Sequence, residues 1–286
     1  MATSKSSNIN FNKTINNSIT NSNVLLKMFC CLTIMVLICI LIGNYAFKNG
    51  ILTCDHYVFN TYLYVILSIL LVFIVVLLND YTGIFNSILI SMSQGNIFIV
   101  MIIPLLLLLG LMYGLKSIDP NNIFASNIVW LLLIVVLSIF IIPIIWLGRL
   151  TNVVGLAGII TVLITLIVGI AGYYYGDKII TFDWDKYLYY ALIALIIVSF
   201  IGIFFLTNAN ANTISLFFLI VSIMSLVIFV LLLLSNHKKL KENADKCIDG
   251  KVVPNYPYES FGIFIKMLNI FQDLIRILGI SKLRRR

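Results

Sequence analysis

The residues best placed for chemistry form a polar stripe in the last apolar segment of the chain. Four polar residues occur at positions i, i+3, i+7 and i+10: Lys266, Asn269, Asp273 and Arg276. This spacing places them on one face of an α-helix, and Asp273 can pair with Arg276 three residues further on. The segment is either an amphipathic helix at the membrane surface with its charges in water, or a helix inside a bundle with the stripe facing a cavity. In the second case the stripe would serve a function, because ionisable groups at membrane depth usually do.

Residue types suited to metal binding or catalysis are sparse in the rest of the sequence. His56 and His237 flank separate apolar runs and have no cysteine or carboxylate at ligand spacing. Three aspartates share one loop: Asp177, Asp183 and Asp185. They could hold a surface cation, but a solvated loop anchored by neighbouring aromatic residues is the simpler interpretation. No nucleophile is paired with a base, so we expect no enzyme activity, no metal and no cofactor.

The composition excludes a soluble domain. The chain has 286 residues, of which 61% are hydrophobic and 10% charged, and its mean hydropathy is +1.09. Ordinary globular domains carry about 25% charged residues. The apolar residues form charge-free runs of about twenty, the length that crosses about 30 Å of hydrocarbon as a helix. The sequence therefore predicts a polytopic membrane protein.

The predicted fold class is all-α: a polytopic transmembrane helix bundle of seven spans, plus an amphipathic or re-entrant C-terminal helix. The predicted spans are 24–47, 57–78, 84–115, 127–147, 153–174, 187–206 and 213–234. The last segment, 260–280, contains the polar stripe. The span 84–115 is too long for one straight crossing and is polar at 91–96, which predicts a broken helix or a short interfacial helix before a span.

The chain divides into four regions by composition. They are a polar N-terminal tail over 1–23, the transmembrane bundle over 24–234, a charged loop over 235–259, and an amphipathic C-terminal helix with a basic tail over 260–286. The tail is rich in Asn, Ser and Thr and cannot bury enough apolar surface to offset the entropy of ordering, so we expect disorder there. The apolar run that follows it is predicted to be a retained span rather than a signal peptide.

The net charge of +8 is concentrated in two basic clusters, 237–251 and 282–286. Clusters of this kind next to a membrane bind anionic headgroups. They do not line one face as a nucleic-acid-binding surface would, so we expect lipid and protein partners, the latter bound through the N-terminal tail and the basic C-terminus, and no nucleic acid. Because basic residues gather on one side of a membrane, the charge favours a last segment that does not cross it.

Small residues and cysteines give weaker signals. Four glycines lie on the fifth predicted span: Gly155, Gly158, Gly169 and Gly172. Small residues let helix backbones approach closely in lipid, so this span is a candidate for the centre of the bundle or an oligomer contact. Three cysteines lie in the first span, whereas Cys54 and Cys247 lie in loops. Neither a metal spacing nor a disulfide framework can be read from these positions.

The segment 258–279 resembles the closing helix of the Bax inhibitor-1 family, also known as the transmembrane Bax inhibitor motif family. That family ends in an Asp-hydrophobic-hydrophobic-Asn-Leu-Phe stretch followed by a Leu-Arg-x-Leu-Gly-like end. The matching residues here are Asn269, Phe271, Arg276 and Gly279. Two further stretches are similar: 25–32 resembles the entry to the family's first helix, and 77–86 resembles the loop before its third.

The sequence also departs from the pattern of that family. The resemblance implies seven spans and, in members that leak calcium in a pH-dependent way, two aspartates near the last two helices. Here Lys266 takes the place of one aspartate, and 235–237 stands where the other is expected. A lysine cannot bind a cation as a carboxylate does, so we expect the aspartate-gated pathway to be lost.

Two functional hypotheses follow from the sequence. The first is a non-catalytic structural or scaffolding component of a membrane-associated assembly, in a viral or organellar membrane, because the predicted span interiors outside the stripe contain no Asp, Glu, Arg or His for coupling transport. The second is a divergent Bax-inhibitor-like protein that modulates ion leak or cell death in an internal membrane, with Lys266, Asp273 and Arg276 lining its cavity. The second requires the stripe to face the bundle.

Overall fold

A computed structural model describes residues 3–48, 50–83, 97–180, 184–205 and 210–284. Over these residues the chain forms eight α-helices and a two-stranded ribbon. In chain order they are α1 (Thr3–Tyr45), β1 (Phe47–Lys48), β2 (Ile51–Leu52), α2 (Tyr57–Thr82), α3 (Ile97–Ser117), α4 (Ile123–Leu150), α5 (Val154–Ile179), α6 (Trp184–Phe205), α7 (Ala211–Ile248) and α8 (Tyr256–Arg284). The strands pair antiparallel, with Phe47 opposite Leu52.

Six of these helices contain a segment long and apolar enough to cross a membrane. The segments are Val24–Tyr45, Tyr57–Thr82, Ile123–Leu150, Val154–Ile179, Trp184–Gly202 and Asn212–Ile248. The all-α, polytopic helix bundle is thus confirmed, whereas the predicted number of seven spans is not. Within α3, the apolar stretch Leu105–Ser117 is shorter than a full span. The polar stretch 91–96 lies outside the described residues.

Helix boundaries follow local chemistry where the structure describes them. The Asn122 side chain caps α4 by accepting a hydrogen bond from the Ala125 amide at 3.2 Å. Gly83 ends α2 in the left-handed conformation, with φ of 66°, and donates its amide hydrogen to the Asn79 carbonyl oxygen. α4 continues through Pro143, as membrane helices tolerate.

The C-terminal helix α8 occupies the centre of the bundle. It packs most extensively against α7 and also contacts α2, α4 and α5. Its apolar residues, including Phe264, Ile270 and Ile275, are fully buried in the main core. By contrast, α5 exposes one whole side. The glycine-bearing span, predicted to be the centre of the bundle or an oligomer contact, thus lies at the periphery of the single chain, and the oligomer contact stays a prediction. Which helix lies at the centre depends on packing between segments that are far apart in sequence, which a local pattern does not contain.

The two ends of the bundle differ, and α8 joins them. We call the end with the β-ribbon the ribbon end; Tyr57 of α2 and Tyr256 of α8 pack together there, with ring centroids 5.4 Å apart. At the opposite end, Arg149 makes two hydrogen bonds of 2.7 and 2.8 Å to Asp80, and Gly279 of α8 lies against Thr151. The 29 residues of α8 extend about 43 Å at 1.5 Å per residue.

The structure differs from the predicted regions in two places. Residues 3–23, expected to be disordered, continue α1, since extending a nucleated helix gains one hydrogen bond per residue. Residues 235–248, expected to be part of a loop, are the last turns of α7. Lysine, alanine and glutamate are good helix formers, and Lys238 and Lys241 both lie within 4 Å of Asp177 at the end of α5. Only 249–255 connects α7 to α8.

Candidate functional site: a buried ionisable row on α8

Three ionisable residues of α8 are spaced seven residues apart: Glu259, Lys266 and Asp273. Residues at this spacing share one face of a helix and stand about 10 Å apart along its axis. Because α8 is central and its closest neighbour is α7, this face lies inside the protein. We call these three residues the α8 row.

Asp273 is the most deeply buried member of the row, with 2% of its surface exposed. Ser225 of α7 hydrogen-bonds its carboxylate, and Arg276 Nη1 lies 3.5 Å from its Oδ1 atom. Its Oδ2 atom has no hydrogen-bond partner among the described residues. Burial with an incomplete set of hydrogen-bond partners makes the ionised form of this carboxyl group costly in free energy.

Lys266 places a positive charge between the two acidic residues. It is 7% exposed, and its ammonium donates a hydrogen bond of 2.9 Å to the Gly262 carbonyl oxygen of its own helix. The carboxylates of Asp185 and Glu259 attract this ammonium electrostatically. Asp185, at the start of α6, forms an ion pair with Lys239 of α7. Lys266 thus belongs to a charged cluster on three helices.

Glu259 lies where the row reaches the ribbon end. Its Oε1 atom accepts a hydrogen bond of 2.7 Å from the Asn243 side chain of α7. Burial raises the pKa of Glu259, although Asn243 and Lys266 act in the opposite direction. The row thus alternates negative, positive and negative charge, with a partner on α7 for each acidic residue.

The predicted polar stripe is divided between the interior and the periphery. Lys266 and Asp273 are buried, whereas Asn269 and Arg276 are half-buried. Asn269 donates a hydrogen bond of 2.7 Å to the Ile265 carbonyl oxygen of its own helix. The stripe therefore does not face bulk water as a surface helix would. The predicted stripe does not include Glu259, because this residue precedes the predicted segment 260–280.

A second buried polar pair joins α7 to α2. His237 Nδ1 lies 2.7 Å from the Leu233 carbonyl oxygen, which can only accept, so Nδ1 carries the hydrogen. Nε2 then accepts from the Tyr62 hydroxyl at 2.5 Å. The same histidine packs against α5, where a Cβ on Gly169 would lie 3.2 Å from Nε2. His237 is thus a buried partner of Tyr62 and not a residue of a loop.

The glycines of α5 serve different contacts. A Cβ at Gly172 would lie 2.6 Å from the Leu234 carbonyl oxygen, and one at Gly169 would lie 3.0 Å from the Tyr62 hydroxyl. Gly158 approaches only Phe271, at 4.0 Å, and Gly155 faces open space. Two of the four predicted glycines therefore lie at the closest approach of α5 to α7. Gly176, which is not among the four predicted glycines, also lies at this approach of α5 to α7, against Lys238.

The aspartates near the end of α5 form ion pairs. Asp177 lies 3.6 Å from Lys238 and 3.8 Å from Lys241, and Asp185 pairs with Lys239. Asp183 lies outside the described residues. Among the residues that the structure describes, no three His, Cys, Asp or Glu side chains converge as a metal site would require. The lysines of the first basic cluster compensate these carboxylates.

A disulfide joins Cys54 to Cys247, with Cα atoms 5.6 Å apart and a separation of 193 positions in sequence. The sequence analysis placed both cysteines in loops, and nothing else in the sequence indicates that they pair. Cys30, Cys31 and Cys39 are free. The bond ties the segment after the ribbon to the last turn of α7.

The apolar helices around a central helix define a polytopic membrane protein with a few ionisable groups buried in an apolar core. The family model described as "Inhibitor of apoptosis-promoting Bax1" matches residues 54–282. The match covers more than half of the chain, and the protein therefore belongs to the Bax inhibitor-1 family. It includes the resemblances at 258–279 and 77–86 but not the one at 25–32. No curated protein matches the sequence.

Proposed function

We propose that the chain is a non-catalytic, divergent Bax inhibitor-like protein of an internal membrane that modulates ion leak and, through it, cell death. Family membership supports this proposal, and the buried carboxyl group of Asp273 is the observation that carries it. A buried ionisable group with an unpartnered oxygen costs stability, and such groups in membrane bundles are usually kept for function. The scaffolding hypothesis has no comparable observation in its favour.

The charges of the α8 row suggest which ions the protein passes. An ionised Asp273 attracts cations, whereas the ammonium of Lys266, about 10 Å away on the same face, repels them. The repulsion acts twice as strongly on a divalent cation as on a monovalent one. We therefore expect a small leak of monovalent cations through the α7–α8 interface, and weak calcium leak.

The protonation state of Asp273 gives the expected pH dependence, because the ionised carboxyl group favours cations and the neutral one does not. Potassium flux should therefore fall as the pH is lowered and Asp273 takes up a proton. Full-length protein in liposomes, assayed between pH 5 and 8, tests this expectation.

Three variants make the experiment specific. Asp273→Asn should give low flux that does not change with pH, and Lys266→Gln should raise calcium flux several-fold. Asp249→Asn is the matched control, since Asp249 is exposed and lies outside the α8 row, and it should behave as wild type. Liposomes that stay silent with wild-type protein at every pH would contradict the proposal and favour a scaffold. Equal pH profiles for wild type and Asp273→Asn would remove Asp273 from the pathway.

A further inference from the structure

The Cys54–Cys247 disulfide lies at a junction of four helices. Cys54 follows the β-ribbon between α1 and α2, and Cys247 lies in the last turn of α7, just before the connection to α8. Cys247 is buried, whereas Cys54 is half-buried. The bond therefore fixes the ribbon end of the bundle across a large separation in sequence.

Hydrogen bonds surround the same junction. The Tyr256 hydroxyl at the start of α8 donates to the Thr53 carbonyl oxygen, next to Cys54. The Asn60 side chain of α2 donates to the carbonyl oxygens of Tyr45 and Asp55, at 3.0 and 3.1 Å. Reduction of the disulfide would leave this end held by these hydrogen bonds and by packing such as that of Tyr57 against Tyr256. Among the residues that the structure describes, the disulfide is therefore the one covalent link at this end that a thiol can break.

A cavity of about 290 Å³ gives access to the disulfide. Both cysteines line it, together with Ile51, Lys251 and Val252. These neighbours belong to the ribbon and to the connection between α7 and α8, outside the six candidate spans. A small thiol in the aqueous phase can therefore reach the sulfur of Cys54, the more exposed partner.

We infer that the ribbon end faces an oxidising compartment and that its disulfide is a thiol-exchange site for a small-molecule thiol such as glutathione, with the opposite end facing the cytosol. Structural disulfides form and persist in oxidising compartments and are rare in the cytosol. Basic residues lie at both ends, and at the ribbon end Lys238, Lys239 and Lys241 are paired with Asp177 and Asp185. The orientation therefore rests on the disulfide. This inference does not depend on the proposed ion leak.

The exchange reaction balances with two equivalents of the thiol. A thiolate attacks the Cys54 sulfur, a mixed disulfide forms there, and Cys247 leaves as a thiolate that takes up a proton. A second thiolate attacks the small-molecule sulfur of the mixed disulfide, which releases the oxidised small molecule and leaves Cys54 as a thiolate that is protonated in turn. The reverse reaction with an oxidised small-molecule disulfide restores the bond.

Differential alkylation of the full-length chain in native membranes tests whether the bond exists in the cell. Free thiols are blocked with N-ethylmaleimide during denaturation, the protein is reduced, and newly exposed thiols are labelled with a polyethylene glycol maleimide. We expect two labels on wild type and none on Cys54→Ser. No label on wild type would overturn the inference, and this readout does not require any variant to fold.

Orientation is tested in sealed vesicles of known sidedness. Ser117→Cys introduces an exposed thiol close to the ribbon-end loop, and Leu283→Cys introduces one at the end of α8. A membrane-impermeant maleimide on the cytosolic side should label Leu283→Cys and not Ser117→Cys. The reverse pattern, or labelling of both from one side, would overturn the assignment of the two ends.

Access through the cavity is tested by the rate of reduction. Val252→Trp fills the cavity and should slow reduction by glutathione at least five-fold. Ile248→Trp is the matched control, since Ile248 is next to Cys247 and exposed but does not line the cavity. Equal rates for Val252→Trp and wild type would exclude the cavity as the route of attack.

Discussion

At the scale of single residues, glycine determines how closely α5 can approach α7. A Cβ at Gly172 would lie 2.6 Å from the Leu234 carbonyl oxygen, a backbone atom that cannot move without moving α7. At Gly155, on the same helix, a Cβ would meet nothing within 4 Å. Two glycines of one helix therefore have opposite roles, one required by packing and one replaceable.

We expect Gly172→Ala to destabilise the protein by about 1–3 kcal/mol, the usual cost of overpacking. Gly155→Ala should leave the stability unchanged or increase it by up to about 1 kcal/mol, because alanine favours helix. Thermal unfolding of both variants in detergent measures the difference. Equal melting temperatures for the two variants would show that α5 and α7 are not in contact at Gly172.

The polar residues show what residue spacing can and cannot determine. The spacing from Lys266 to Arg276 placed four side chains on one helical face, and the structure has a helix there. Whether that face is buried depends on contacts of α8 with α2, α4, α5 and α7, which no local pattern contains. The disulfide was missed for the same reason, since its cysteines are 193 residues apart.

At the scale of the elements, apolar runs predicted helices well and their ends poorly. The run 213–234 was assigned as a span, yet α7 continues to Ile248. Its charged last turns are held by ion pairs to α5 and α6, which a hydropathy pattern does not reveal. Contacts between distant parts of the sequence also hold the start of α8. The Tyr256 hydroxyl bonds to Thr53, between β2 and α2, and to Asn60 of α2.

Tyr256→Phe should destabilise the protein by about 1–3 kcal/mol, because it removes the donor to the half-buried Thr53 carbonyl and a partner of the buried Asn60 side chain. Tyr258→Phe, two residues further along and exposed, should change the stability by less than about 0.5 kcal/mol. Unfolding in detergent under non-reducing conditions, with the disulfide intact in both variants, compares them. A wild-type melting temperature for Tyr256→Phe would mean that the start of α8 is not fixed by this hydroxyl.

At the scale of the whole molecule, the bundle has an apolar core, buries a few ionisable residues on α8, and exposes large apolar residues on its outside, as a soluble protein does not. Large apolar side chains are exposed along the length of α5. In water such a surface would drive aggregation, whereas in a bilayer the lipid tails cover it. The family match and the six candidate spans agree with this arrangement.

The lipid-facing surface can be tested with one charge at two depths. Ile167, at the middle of α5, is 66% exposed, and Leu150, the last residue of α4, is 79% exposed. On the water-exposed surface of a soluble protein, arginine at either position would change the stability little. In a bilayer, arginine at a helix centre costs about 2.5–3.5 kcal/mol of insertion free energy, whereas near a helix end its long side chain reaches the headgroups. Ile167→Arg should therefore lower the fraction of protein that stays in the membrane after carbonate extraction at least two-fold, whereas Leu150→Arg should match wild type. Full membrane integration of Ile167→Arg would place that face of α5 against protein or water instead of lipid.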